Sequence, residues 1–580
     1  MPDDDRDSNV QRPTLPTKRG SEYVYDALVR AGIDVLVGIP GTQTLPLDRT
    51  VAERDEIRYV MARHETAVPH IAWGYYEASG SLAATLTVPG PGDTNVMHGL
   101  KNAAEDCVPI IHISADVNPD ARGKKPIHEI EPDTFDNVVK ENVVVDRPID
   151  LQREIARAIG LALTPPYGPV RVGVASTVLE SSVYAPPATV SIDRSKYDSD
   201  AAYGRAVDVL AEATRPILYV GGGARRAADG PRVVRDLVDE LDAPVLASPK
   251  GKGVVPEDDP RVLGVTGSHL PAGARTILEA ADVMLALGTD FDGVSTDGWS
   301  LPMGEWCIHV TLDPGAIDTA YEADVPIVED VGVAGDRLLE RLSERKTDRS
   351  WNGERLGQAV RTEYVDRLED RGLFDGDAPA NTPELLAALR DVLPRETIVT
   401  TDVGGFRLWA LQTFEAYDPG QFVTAGSWAG MGVGLPAAIG AKLTRPDRPV
   451  VSLTGDGGLM MCVHELHTAA EYDLDIVVVV SNNSDYGVIS KSPKITQYAD
   501  DHEFTWNSPS FVAVAEGFGC RARAVDTVAE AVEAMEWALD VDGPVLLDVA
   551  IDQGEPSAAA AAEYDTGVSI DQTVPTEVDD

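Results

Sequence analysis

Residues 450–489 read VVSLTGDGGLMMCVHELHTAAEYDLDIVVVVSNNSDYGVI, and this stretch decides the fold. An apolar strand, Val450 to Thr454, ends in the turn Gly455-Asp456-Gly457-Gly458. A helix-length amphipathic run follows, then a second buried strand, Ile476 to Val480, closed by Asn482-Asn483. Two parallel strands joined by a helix bring both strand C-termini side by side, where open α/β sheets bind ligands. Glycine N–H groups at a helix start favour a phosphate there. Asp456 and Asn483 add hard oxygens suited to Mg2+ or Ca2+.

Working outward, the same alternation recurs on both sides. Upstream, Thr382 reads as a helix cap with Pro383 at the first position, ahead of ELLAALRDVL. The strand ETIVTTDVGG and the small-residue run AGSWAGMGVGLPAAIGAKL follow; downstream the strand PVLLDVA ends the unit. Nearer the N-terminus, the strands DVLVGIP, IRYVMA, SLAATLTV, PIIHIS and PVRVGV alternate with helical spacing. In the middle, PILYVGG, APVLAS, VMLALG and CIHVTLD do the same. The expected fold class is α/β, with three doubly wound parallel-sheet domains. Domains are expected at 18–180, 200–342 and 380–553, with disordered acidic tails at 1–17 and 554–580. The stretch from Ser181 to Ser199 reads as a linker, and 343–379 as a charged surface linker containing a helix.

Composition narrows the function. A net charge of -46 argues against nucleic acid, which needs a basic surface. The acids are spread along the whole chain and arginine outnumbers lysine, a halophile-like pattern made tolerable by screening at high salt. The 4 cysteines form no CxxC, so neither a disulfide framework nor a zinc site is indicated. No apolar run reaches membrane-spanning length and the start lacks a signal peptide's pattern, so no membrane association and a cytoplasmic location are expected.

The Gly-Asp-Gly turn, the spacer and the closing Asn-Asn resemble the thiamine diphosphate (ThDP) binding motif. The segment RHETAVPHIAWGYYEASG resembles the same family's glutamate motif, and the likeness to acetolactate synthases and benzoylformate decarboxylases runs over about 20–550. The resemblance implies a pyrimidine-binding first domain, a central domain and a diphosphate-binding third domain. It implies that Mg2+ is held by Asp456, Asn483 and the main chain of Asp485. It makes Glu65 catalytic, its carboxyl promoting the imino form of the coenzyme's aminopyrimidine at N1'. Pro40, Gly41 and Thr42, with the loop Pro89–Asn95, would face the coenzyme from a partner subunit. Gly404, Gly405, Gly457 and Gly458 would line the diphosphate, and Met431 beside Gly430 would prop the coenzyme bent. His98, His128, Asp116 and Ile489 are candidates for touching substrate; His64 and His112 are weaker ones.

The implied reaction is decarboxylation of a 2-oxo acid, with the resulting enamine either joined to an acceptor carbonyl or protonated. A homodimer or homotetramer with shared sites is implied too. Acetolactate synthases carry FAD in the central domain, but their arginines are replaced here, by Asp290 and Val294 among others, so a central domain without flavin is expected. Three departures bear on the substrate. Asp116 replaces a Gln of acetolactate synthases and Gly405-Phe406 replaces their Gln-His. Ile489 is apolar where pyruvate decarboxylases place a proton-donating Glu, which suits carboligation but also benzoylformate-type decarboxylases. A catalytically silent binding protein of the same fold and a nucleotide-binding oxidoreductase, using the poor fingerprint GGGARRA, are the alternatives.

Overall fold

Strands such as VVSLTG and IVVVVSN are apolar on both faces, which suits only a sheet covered by helices on both sides. The computed structural model, which describes residues 17–184, 190–192, 200–345, 349–376, 378–497 and 504–562, contains three such sheets, each of six parallel strands. In the first sheet the order is Arg58–Met61, Val35–Gly38, Ala84–Thr87, Ile111–Ser114, Val170–Val174, Glu141–Val145. In the third it is Phe422–Val423, Ile398–Thr401 (β1), Val450–Gly455 (β2), Ile476–Asn482 (β3), Val545–Ala550, Arg521–Val525. Numbered within each domain, both read 2-1-3-4-6-5, so both have a switch point between their first and third strands. The central sheet runs Val262–Val265, Val245–Ala247, Pro216–Val220, Val283–Leu287, Trp306–Thr311, Val325–Val328, a 3-2-1-4-5-6 order.

The first and third domains share one core. Helix α1 (Ala67–Ser79) crosses helix α2 (Gly434–Thr444), and Ile71, Trp73, Leu435 and Ile439 are fully buried in the joint cluster. Glycine makes the crossing possible. A Cβ at Gly74 would stand 2.3 Å from the Ala437 carbonyl oxygen, and one at Gly440 would stand 2.1 Å from that of Ile71. Each large apolar side chain buried here contributes roughly 1.5–3 kcal/mol. Gly440→Leu would force the helices apart and expose that core.

Several local expectations are corrected. Asn381, not Thr382, is the helix cap, and Pro383 takes the second helical position. The amphipathic run after Asp456 is two helices, Asp456–Cys462 and Glu465–Glu471. Helix α1 begins two residues after Glu65, leaving that side chain on the preceding turn. The presumed surface linker holds the helix Gly353–Asp370, which buries Leu356, Val360, Tyr364 and Leu368. Thr17–Arg19 pairs antiparallel with Ser182–Tyr184, so the expected tail gives Thr17 and the expected linker gives three residues to a two-stranded sheet. The C-terminal tail starts ordered: Ala558–Ala562 is helical, and buried Glu555 accepts from Trp409 Nε1 at 2.8 Å. Residues 1–16 and 563–580 lie outside the described residues.

Candidate active site

At the switch point of the third sheet, β1 ends in Asp402-Val403-Gly404-Gly405 and β2 in Gly455-Asp456-Gly457-Gly458. β3, next to β2 in register (Gly455 opposite Ser481), ends in Asn482-Asn483. The second glycine turn is close-packed by neighbours, while Gly405 of the first stands open. A Cβ on Gly457 would meet the Tyr486 ring at 2.7 Å, and one on Gly458 would meet the Asp402 carboxyl group at 3.0 Å. Their backbone N–H groups are thus presented without side chains of their own, a cradle for phosphate oxygens.

The acid of this turn is 2% exposed, and burial pushes the Asp456 carboxyl up to about 6. Its one described side-chain partner is the Ser508 hydroxyl at 3.2 Å, and among the described residues no cation pairs with it. Asn483 Oδ1 accepts from the Asp485 amide at 3.2 Å, while Asp485 Oδ1 is buried without a partner. A buried, uncompensated carboxylate beside an amide oxygen and a tight turn has the donor chemistry of a hard divalent cation. The donors present therefore fit a hard divalent cation beside a phosphate group.

Asp402 is the site residue that the sequence reading missed. Wholly buried, it accepts from the amides of Val403 (2.7 Å), Gly432 (2.9 Å to Oδ1) and Gly434 (3.2 Å). One carboxylate thus joins the β1 turn, the Gly430-Met431-Gly432 loop and, by packing, Gly458. Burial pushes its carboxyl up, against the pull of those amides.

Glu65 sits at the other end of the molecule's chemistry. Asn95 Nδ2 donates to Glu65 Oε2 at 3.0 Å. The turn before it is held by buried Glu465, whose Oε1 accepts the Arg63 and His64 amides, each at 3.0 Å. Pro40-Gly41-Thr42 and Pro89–Gly92 face each other at the switch point of the first sheet, where a Cβ on Gly41 would meet Val88 at 2.3 Å. Among the described residues, no hydrogen bond joins Glu65 to Asp456, Asn483 or either glycine turn of the third domain.

The four substrate candidates separate. His128, in a left-handed turn (φ 64), packs against Gly90 and meets Gln43 Nε2 at 3.3 Å, so it lies at the first switch point. Ile489 is 49% exposed on the short helix Gly487–Ser490, whose Val488 faces Gly405. His98 is otherwise engaged: its ring meets the Met431 carbonyl oxygen at 3.3 Å and takes the Trp428 indole N–H at 2.9 Å. Asp116 is turned into the core, 2.6 Å from Arg171 Nη2 within a buried network that includes Asp93. Buried His112 belongs to that network through Asp93. Neither Asp116 nor His112 is exposed to a ligand in this arrangement.

A doubly wound three-domain chain with a glycine–acid phosphate turn defines a class. Residues 18–137, 204–342 and 402–549 match the thiamine pyrophosphate enzyme N-terminal TPP binding, central and C-terminal TPP binding domains, in that order. The chain belongs to the thiamine pyrophosphate enzymes and, within them, is acetolactate synthase-like. It is 30% identical over 561 residues to a probable acetolactate synthase large subunit of Methanococcus aeolicus, covering 93% of this chain and 92% of that protein. It is 31% identical over 569 residues to an acetolactate synthase of Arthrospira platensis, covering 94% and 96%. With the acetolactate synthase isozyme 2 large subunit of Escherichia coli the identity is 28% over 543 residues, covering 92% and 96%. No described helix is long and apolar enough to cross a membrane.

Proposed function

We propose that this enzyme binds ThDP through Mg2+ and decarboxylates a 2-oxo acid, joining the remaining acyl unit to a second carbonyl compound. The observation that carries this reading is the convergence of Gly404-Gly405, Asp456-Gly457-Gly458 and Asn483 on one switch point around an uncompensated buried acid. When bound, ThDP supplies a nucleophilic carbon and an electron sink for the loss of CO2. Asp456, Asn483 and the Asp485 main chain would hold the metal, the glycine amides would hold the diphosphate, and Met431 would pack against the coenzyme. Glu65 holds and returns a proton at the aminopyrimidine ring nitrogen. Ile489 keeps proton donors away from the reacting carbon, which favours ligation over protonation.

Glu65 and the diphosphate turn belong to different subunits in this reading. Supporting it, exposed apolar side chains flank both: Leu45, Met61 and Ile127 near the first switch point, Trp428, Met461 and Val488 near the third. A homodimer covering them is the minimum assembly. A cytoplasmic, high-salt setting fits the charge.

The central domain works without flavin in this reading. Its crevice holds a cavity of about 150 Å³, below the usual range of ligand pockets. The cations beside it are spent on buried Glu77, which Lys250 reaches at 2.7 Å and Arg226 at 3.0 Å, with Arg225 also bonded. Burial alone would raise the Glu77 carboxyl, but Arg225, Lys250 and Arg226 hold it far below its ordinary range. Asp290, pushed up to about 6 by burial and by Asp292, adds an acid where a dinucleotide would bring phosphates.

The test is a screen of 2-oxo acids at high salt with ThDP and Mg2+, with CO2 and product identified. A ligated product that vanishes on chelation supports the reading, and an aldehyde alone would move the enzyme to the simple decarboxylases. An absorbance spectrum of the purified protein with a flavin band would overturn the flavin-free central domain.

A further inference from the structure

We infer that Asn95 is a positioning residue that decides which oxygen of Glu65 carries the working proton. This rests on the reading of Glu65 given above. A carboxyl group turns about its last bond in a broad, two-fold well, so its two oxygens are interchangeable unless something distinguishes them. Here an amide does. Asn95 Nδ2 donates to Glu65 Oε2 at 3.0 Å, and in a protonated carboxyl group the carbonyl oxygen is the better acceptor, so this bond favours Oε2 as the carbonyl and Oε1 as the oxygen that carries the proton.

The surroundings are built to hold that arrangement. Asn95 lies in the second turn of the helix Pro91–Glu105. Its own carbonyl oxygen accepts from the Thr66 hydroxyl at 3.2 Å, so side chain and main chain grip consecutive residues of the Glu65 turn. Gly92, in the first turn, lies beside Oε1 and is held close by the strand end: a Cβ there would stand 2.9 Å from a Val88 methyl group and in ordinary contact with Oε1. On the far side, Glu465 holds the Arg63 and His64 amides. Three attachments therefore fix the turn, and among the described residues only Asn95 hydrogen-bonds the carboxyl group. Loss of Asn95 should disturb proton handling while leaving the diphosphate clamp, some distance off in the third domain, as it was.

The test compares Asn95→Ala, Asn95→Asp and Asn95→Ser with Glu65→Gln, each first shown by thermal melting to be folded. The readouts are ThDP affinity with Mg2+, the near-ultraviolet circular dichroism of the bound coenzyme's tautomer, and the rate at which its C2 proton exchanges with deuterium. Asn95→Asp, the same shape with no donor, should slow exchange about 10- to 100-fold and weaken the tautomer band, with affinity changed less than about threefold. Asn95→Ala should follow it, and Asn95→Ser, which can still donate, should recover part of the rate. Crystals of coenzyme-free Asn95→Ala should show the Glu65 carboxyl in more than one orientation. If exchange in Asn95→Ala and Asn95→Asp stays within twofold of the unmutated protein while Glu65→Gln abolishes it, Asn95 has no such role. If Glu65→Gln itself exchanges normally, the underlying reading of Glu65 fails instead.

Discussion

The first and third sheets are wound alike, 2-1-3-4-6-5, yet their switch points are furnished differently. In the third, both strand ends carry glycine pairs and a buried acid, with an amide on the neighbouring strand. In the first, the facing loops are Pro40-Gly41 and Pro89-Gly90-Pro91-Gly92; the buried acid beside them, Asp93, is paired with Arg171 at 2.7 Å, and the unpaired carboxylate (Glu65) comes from the turn after Arg58–Met61. Winding supplies the crevice, and turn residues choose the ligand. Free amides and a metal-seeking acid suit a polyanion. A single oriented carboxylate between apolar loops suits an uncharged heterocycle. The central sheet, wound 3-2-1-4-5-6, shows the third outcome: a crevice whose cations are already engaged by Glu77.

The sharpest break in that comparison is Asp456→Ala. It removes the one carboxylate of the phosphate turn, so ThDP binding should weaken roughly 100-fold or more and turnover should disappear. Calorimetry with and without Mg2+ measures it, and retained Mg2+-dependent binding would refute the assignment of the turn. Glu65→Gln attacks the other crevice and should separate the two functions. Binding should survive while kcat falls about 10²- to 10⁴-fold. An equal loss of binding would mean that the two crevices do not divide the coenzyme.

How much of this was legible in the sequence follows the same division. Central strands were read because burial on both faces forces continuous apolar runs. The sheet strands that escaped were Glu141–Val145, Val262–Val265, Val325–Val328, Phe422–Val423 and Arg521–Val525, and every one lies at a sheet edge. Three of them carry polar or proline positions that break the apolar run: Glu141 and Asn142 in one, Pro326 in another, and Arg521 and Arg523 alternating with alanine in the third; Phe422–Val423 is only two residues long. The glycine turns and Glu65 stood out as local patterns. Asp402 did not, because its meaning lies in amides about 30 residues away, and nothing local distinguishes it from a surface acid after a strand. Asp116 is the converse case: the resemblance singled it out as standing where acetolactate synthases carry a Gln, while Arg171, 55 residues on, draws it inward.

Asp402→Asn tests that long-range tie. The amide keeps the shape but turns a donor toward backbone donors, and each unsatisfied buried group costs about 1–3 kcal/mol. ThDP affinity should fall about tenfold, with kcat lowered less than by Glu65→Gln. Affinity unchanged within twofold would show that the Met431 loop holds itself.

The next effect is one of pH on the coenzyme-free protein. Burial raises the Asp456 carboxyl to about 6, so the folded chain keeps this proton to higher pH than the unfolded chain does. Stability from this group is therefore fully present below the ordinary carboxylate range and is lost as pH rises from about 4 to about 6. The amount is about 2–3 kcal/mol, one pKa unit being about 1.4. Denaturant titrations at fixed high salt should show that slope, and Asp456→Asn should flatten it. Adding Mg2+ and ThDP above pH 6 should restore the lost stability, because a cation then compensates the charge. A first-domain control, Glu65→Gln, should leave the slope in place.

The smallest expected effect concerns Ser508, which stands where the third switch point differs from the first in having a hydroxyl against its acid. Its oxygen is 3.2 Å from Asp456 Oδ2, 3.1 Å from Asn482 Oδ1 and 2.9 Å from the Ser484 hydroxyl. One proton cannot serve both carboxylate and amide, so the hydroxyl donates to one of them at a time. When a cation takes up Asp456, the remaining carboxylate oxygen still needs a donor, and Ser508 is the one in place. A hydrogen bond of this kind is worth about 0.5–1.5 kcal/mol, so Ser508→Ala should weaken Mg2+ in the ThDP complex about two- to tenfold. Glu65-dependent steps should be untouched: at saturating Mg2+ the kcat should return to that of the unmutated enzyme. A kcat that stayed low at saturation would place Ser508 in the reaction itself, and with it a contact between the two crevices that the strand ends alone do not provide.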